Sequence, residues 1–149
     1  MVDLILDAIA ANALPVPGDN TCFFLFLPYA TFSEYDGTTY GGGSGNPAAF
    51  HNTAAYAGKR FEYVVLTYLH DGNDPDTFAD WTTVISHELV EAVTDPDVGT
   101  GWIDVSKQPF QEVSDVCTTA SNQLTGQFPR LDPCSILEPR AGEMRCARG

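Results

Sequence analysis

Residues 76–94 limit the possible folds more than any other stretch, because their side chains divide into two opposite faces at helical spacing. At about 100° per residue, one face is apolar and is predicted to pack against a core; it carries Phe78, Ile85, Leu89, Ala92 and Val93. The opposite face carries one histidine and four carboxylates: Asp80, His87, Glu88, Glu91 and Asp95. Pro96 disfavours a helical residue before it, so the helix is expected to end at Thr94.

The other regular signals are a short helix and two strands. Residues 2–13 carry apolar side chains at helical steps, and the apolar run 22–27, closed by Pro28, predicts a buried central strand. Residues 61–68 are rich in β-branched and aromatic side chains and predict a second strand. Two stretches rich in turn-forming residues predict a flexible loop and a turn: 40–47 and 70–75. This order predicts one α+β domain over 1–149, with a small sheet packed on the long helix and an irregular C-terminal part.

The charge is strongly acidic, with 7 basic against 20 acidic residues and a formal net charge of −13. Nucleic-acid binding is not expected, because phosphate contacts need clustered Lys and Arg. The same balance disfavours an anionic membrane surface and favours cations. No apolar stretch reaches the length of a membrane span.

The four cysteines are Cys22, Cys117, Cys134 and Cys146, and no two form a Cys-x-x-Cys pair. Three lie in a C-terminal region rich in Pro and Gly, where disulfides commonly compensate for sparse packing. We therefore predict two disulfides in an exported protein, with the pairing open among three possibilities. The first residues do not resemble a signal peptide, so a secretory leader is expected to be missing from this sequence.

The helical run His87-Glu88-Leu89-Val90-Glu91 contains the candidate metal-binding and catalytic residues. His87 and Glu91 are four residues apart, so both side chains project from adjacent turns and can reach one metal ion. Glu88 is rotated away and could instead activate a metal-bound water, as the glutamate does in HExxH metalloproteases. The pattern here is HExxE and predicts a Zn²⁺ site with Glu88 as general base. A ligand set rich in carboxylates leaves Ca²⁺ and Mn²⁺ open.

A third ligand is expected from the tail or a loop. Glu112 lies 25 residues after His87, and the pair Glu112 and Asp115 resembles the segment in thermolysin-like metallopeptidases that holds a glutamate ligand and an aspartate orienting the first histidine. By that resemblance Glu112 would bind the metal and Asp115 would fix the His87 imidazole. Asp115 itself and Asp97, at a spacing similar to metzincin-type peptidases, follow as alternatives. Asp95 could ligate or simply end the helix, and His51 could reach the site from a loop.

Three segments carry a wider resemblance: 85–96, then Gly101-Trp102-Ile103-Asp104, then Glu112-Val113-Ser114-Asp115-Val116-Cys117. Together they resemble the EXORDIUM/phosphate-induced proteins of plant cell walls and their bacterial and fungal relatives. The resemblance is specific over 85–117 and looser over the earlier residues. It implies a zincin-like core, an extracellular or cell-wall setting, and a peptide or cell-wall substrate.

Two functions are therefore expected from the sequence. The first is a secreted, zinc-dependent, zincin-like hydrolase, most simply a peptidase, with the metal held by His87, Glu91 and Glu112. The alternative is a non-catalytic extracellular protein in which a structural zinc or calcium ion fastens the helix to the tail.

Overall fold

The structure is a computed structural model, which describes residues 1–28, 31–41, 47–67, 77–106 and 111–117. The chain divides into two compact units, Met1–Leu69 and His70–Gly149. Within the described residues it is a mixed α+β protein with small sheets and two α-helices, which confirms the predicted class. The predicted turn 70–75 and the middle of the predicted loop 40–47 lie outside the described residues.

The described residues of the first unit form a helix, a three-stranded sheet and a two-stranded hairpin. Its elements are α1 (Val2–Ala10), β1 (Cys22–Phe26), β2 (Phe32–Tyr35), β3 (Thr38–Gly41), β4 (Ala49–Tyr56) and β5 (Lys59–Leu66). In the sheet, β5 lies between β1 and β4, parallel to the first and antiparallel to the second. The strands β2 and β3 form a separate antiparallel hairpin.

The core of this unit lies where α1 meets the sheet residues. Ile5 and Ile9, one helical turn apart, are almost fully buried, and Phe23 and Phe61 meet edge to face with ring centroids 5.3 Å apart. The helix predicted over 2–13 ends earlier, at Ala10. Asn12 takes a positive φ of 59°, which ends the helical path.

The predicted position of the first strand is wrong in one respect. Within the described residues, β1 lies at the edge of its sheet and Phe26 is exposed, whereas β5 is the central strand. Val64 and Val65 on β5 are fully buried because that strand has a hydrogen-bonded neighbour on each side. A continuous apolar run indicated burial, and it did not tell a central strand from an edge strand.

Two hairpin turns involve strands that the sequence pattern did not predict, namely β2, β3 and β4, whereas β5 overlaps the strand predicted over 61–68. Asp36 and Gly37 connect β2 to β3, and Ala57 and Gly58 connect β4 to β5, as two-residue loops. All four residues have positive φ, which is the type I′ geometry that suits the twist of a hairpin. The Asp-Gly dipeptide is a strong signal for this turn.

The second unit is built on α2 (Thr77–Thr94), followed by β6 (Ile103–Asp104), β7 (Gln111–Glu112) and a short 3₁₀ helix, Asp115–Cys117. The helix ends at Thr94, as Pro96 predicted. The predicted burial of its faces is wrong in part. Ala92 is buried, yet Leu89 is 42% exposed and Val93 is 73% exposed, whereas Glu88 and Glu91 are 6% and 3% exposed.

Among the described residues, neither α-helix combines the length and the apolar character that a membrane-spanning segment needs. Cys22 carries a free thiol in the structure. Two disulfides would need all four cysteines, so the unpaired Cys22 is not part of one in the structure; the side chains of the other three lie outside the described residues, and a disulfide among them stays a prediction.

Candidate metal centre

His87 and Glu91 meet on α2. The helix places them one turn apart, and His87 Nε2 lies 3.0 Å from Glu91 Oε1. Both side chains are shielded from solvent, the Glu91 carboxylate almost completely. The predicted pairing at four-residue spacing is therefore present, with the imidazole and the carboxylate facing each other.

After α2 ends, the chain makes a turn that is held by hydrogen bonds to the carboxylate of Asp95. This side chain is fully buried and accepts three backbone N–H bonds, from Gly99 at 2.6 Å, from Thr100 at 2.9 Å and from Gly101. Gly101 lies so close to the helix end that a Cβ there would be 2.2 Å from the Thr94 carbonyl oxygen. The turn therefore needs both the buried carboxylate and the glycine.

Beyond this turn, the carboxylate of Asp115 lies close to His87, which already contacts Glu91. The strand β6 pairs antiparallel with β7, through Ile103 with Glu112 and Asp104 with Gln111. Next, the hydroxyl of Ser114 donates to the backbone carbonyl of His87 at 3.2 Å. Asp115 follows directly, and its Oδ1 lies 3.5 Å from His87 Nε2. One imidazole nitrogen thus faces two carboxylates from two different segments.

The spacing of these atoms fits two ligands of a common ion. Two ligands at Zn²⁺ bond lengths of about 2.0–2.2 Å and tetrahedral angles are about 3.3–3.6 Å apart. The separations here are 3.0 Å and 3.5 Å from Nε2, and the ligand atoms of His87, Glu91 and Asp115 all lie within 4.8 Å of one another. A small contraction or expansion would therefore suffice to bind a divalent cation.

The electrostatics of the cluster also favour a cation. Burial raises the pKa of the Glu91 carboxyl, the hydrogen bond and charge of His87 lower it, and the negative charges of Glu88 and Asp115 raise it. Glu88 and Glu91 are buried and the Asp115 side chain is 41% exposed, so the repulsion is strongest between the two buried carboxylates, and a divalent ion beside Glu91 would offset it.

The remaining predicted site residues of the second unit fall into two groups. A carboxylate oxygen of Glu112 lies within 4.8 Å of one of Glu91, and Glu88 is buried and close enough to act on the pKa of Glu91. Asp95 and Asp97 are not among the groups that could share an ion within the described residues. The Asp95 carboxylate instead holds the turn after the helix, which was the predicted alternative to ligation.

Two placements differ from the sequence-based prediction. Asp115 was predicted to orient the imidazole, and it faces the same nitrogen as Glu91. An orienting partner of a metal-bound histidine contacts the other ring nitrogen, so this position suits a ligand better. His51 was predicted on a loop and lies on β4 of the first unit, buried and opposite Val64. Its participation in the site stays a prediction.

Ser114 was not identified from the sequence. Its contact with His87 depends on the return of the tail to the helix, and no local pattern marks it.

Comparison with protein-family models, with curated proteins and with solved structures finds no match for this chain. The resemblance to the EXORDIUM/phosphate-induced proteins therefore stays a hypothesis.

Proposed function

We propose that this chain binds a divalent metal ion through His87 Nε2 and the carboxylates of Glu91 and Asp115. The observation that carries the proposal is the approach of both carboxylates to one imidazole nitrogen, at 3.0 Å and 3.5 Å. We assign the third position to Asp115 rather than to Glu112, because Asp115 is the one facing Nε2. Glu112, beside Glu91, is the further carboxylate within reach.

Zinc is the ion that this donor set fits best. Zinc accepts both imidazole nitrogen and carboxylate oxygen, whereas calcium prefers six to eight oxygen ligands. The separations alone also suit Mn²⁺ or Ca²⁺, so the choice of zinc rests on the histidine.

We further propose that the site serves hydrolysis, with a peptide or a cell-wall polymer as substrate in an extracellular setting. A bound divalent ion would polarise a water molecule and the substrate carbonyl. Glu88 is the residue proposed to accept the proton of the attacking water, because its carboxylate is buried beside Glu91 and electrostatically coupled to it. The resemblance to HExxH metallopeptidase helices supports this assignment, with Glu91 in place of the second histidine.

A structural metal ion is the second candidate function, and one observation favours it. Ser114 and Asp115 contact His87 from a segment that returns to α2 after 27 residues. An ion bound by Glu91 and Asp115 would close this loop and stabilise the second unit without any catalysis.

Metal binding is tested by titrating the chelator-treated full chain with Zn²⁺ in competition with a chromophoric chelator. His87→Ala and Asp115→Asn are expected to weaken binding by about 10-fold or more, since each removes a ligand. Asp97→Asn makes the same charge change outside the cluster and is the matched control. Equal Zn²⁺ affinity in Asp115→Asn and Asp97→Asn would reject the proposed ligand set.

Catalysis is tested separately with Glu88→Gln. This variant is expected to lose hydrolysis of casein or cell-wall preparations while keeping the Zn²⁺ content of the wild type. Glu34→Gln, an exposed carboxylate on β2, is the control for a change of charge. Unchanged turnover in Glu88→Gln would remove Glu88 from its role. A wild type that binds Zn²⁺ but cleaves neither substrate would favour the structural candidate.

A further inference from the structure

We infer that Ser114 is a positioning residue, which holds Asp115 at the metal site by fastening the tail to the helical turn that carries His87 and Glu91. The inference rests on the proposed metal site and deepens it, because it names what places the third ligand. Ser114 does not face the ion itself; it acts through its neighbour in the chain.

The hydrogen bond of Ser114 is made to the turn that carries the ligands. Its hydroxyl donates to the His87 carbonyl oxygen at 3.2 Å, and the side chain is fully buried. In an α-helix the carbonyl of residue 87 also accepts the N–H of residue 91. The His87 carbonyl oxygen therefore accepts hydrogen bonds from both the Glu91 N–H and the Ser114 hydroxyl, and it links the backbone of the two helical ligands to the residue before Asp115.

Other contacts of the segment fix it in different directions. The β6–β7 ladder pairs two residues of each strand, and it holds the segment against β6 rather than against α2. The Glu112 N–H donates to Asp115 Oδ2 at 3.3 Å. This bond lies within the segment and orients the Asp115 carboxylate, but it does not connect the segment to α2. The Ser114 bond joins this segment directly to the backbone of the His87 turn, whereas the Asp115 carboxylate meets the His87 side chain.

Loss of this hydroxyl should affect the site more than the fold. The carbonyl oxygen of His87 keeps its helical N–H donor, so no buried acceptor is left without a partner. Asp115, however, loses a hydrogen bond that ties its neighbouring backbone to the helical turn of His87. A carboxylate displaced by about 1 Å no longer meets the bond lengths that zinc requires.

The test is the Zn²⁺ dissociation constant of the full chain, measured by chelator competition for Ser114→Ala and for Ser86→Ala. Ser86 also donates its hydroxyl to a helix carbonyl, that of Thr83 at 2.8 Å, so the two substitutions remove the same kind of bond. We expect Ser114→Ala to weaken binding roughly 10- to 100-fold, as loss of supporting hydrogen bonds around metal ligands does. Ser86→Ala should keep the wild-type affinity.

A double-mutant cycle with Asp115→Asn separates positioning from a general effect on the fold. Once Asp115 no longer binds, Ser114→Ala should change the Zn²⁺ dissociation constant by no more than about twofold, the ordinary error of additivity. The same large loss in both backgrounds would overturn the inference. If Ser114→Ala fails to fold without metal, the pair Ser114→Thr and Ser114→Val isolates the hydroxyl at equal volume, with Thr expected to bind more tightly.

The possible failures are distinguishable. A wild type that binds no Zn²⁺ would overturn the proposed function and this inference with it. A wild type that binds, beside a Ser114→Ala variant of equal affinity, would overturn the inference and leave the metal site standing.

Discussion

The turn after α2 depends on the carboxylate of Asp95, and Asp95→Asn changes one atom of that fully buried side chain. In the wild type, Oδ2 accepts the Gly99 N–H and Oδ1 accepts those of Thr100 and Gly101. An asparagine amide can keep its oxygen on the last two donors, but its NH₂ group then faces the Gly99 N–H. The reverse orientation is worse, because it places the NH₂ group against two donors.

The expected cost follows from these three bonds. Loss of the charge-assisted bond from the partly buried Gly99 N–H costs about 1.5–3 kcal/mol. The two remaining bonds change from a charged to a neutral acceptor, at about 1 kcal/mol each. We expect the free energy of unfolding of the second unit to fall by about 3.5–5 kcal/mol.

Urea unfolding followed by tryptophan fluorescence measures this loss. Both tryptophans, Trp81 and Trp102, belong to the second unit, so the signal reports on it. Asp97→Asn, two residues on, is the control and should stay within about 1 kcal/mol of the wild type. Chelator is present throughout, so that metal binding does not contribute. An Asp95→Asn variant as stable as Asp97→Asn would refute the reasoning.

Three further predictions concern single positions. Gly101→Ala should destabilise by at least about 3 kcal/mol in urea unfolding, because its Cβ meets backbone atoms of Thr94 and Asp95, whereas Gly18→Ala should change little. Ala57→Asn should raise the melting temperature by stabilising the protein by about 0.5–1 kcal/mol, since Ala57 has a φ of 50° before Gly58 in a type I′ turn. Burial raises the pKa of the Cys22 thiol from 9.0 to about 11, with Glu62 adding to the rise. Iodoacetamide should therefore modify it roughly 100-fold more slowly at pH 8 than an ordinary thiol, and faster as the pH rises toward 11; the rate expected of an unperturbed thiol would contradict this.

Local sequence features predicted the parts of the site that depend on neighbours along the chain. The helix ends at Thr94 because a residue before proline disfavours helix, and His87 meets Glu91 because of the helical repeat. Both results need only a few consecutive residues. The position of Asp115 could not be predicted in this way, since it depends on the Asp95 turn, the short β6–β7 pairing and the Ser114 contact.

The predicted burial of α2 failed for a related reason. Periodicity separates a polar from an apolar face, but it does not show which face the rest of the chain will cover. Here the segment 111–117 packs on the side of His87, while Leu89 and Val93 remain exposed. The β2–β3 hairpin was missed for a different reason: the Asp36-Gly37 signal is present in the sequence, and its flanking strands lack clear alternation.

The measurement that tests the central claim most directly is an anomalous difference map at the zinc edge, from crystals of the full chain grown with Zn²⁺. We expect one strong peak within about 2.0–2.2 Å of His87 Nε2 and of carboxylate oxygens of Glu91 and Asp115. A zinc-replete crystal with no peak at His87, or with an ion bound elsewhere while Asp115 points away, would contradict the account.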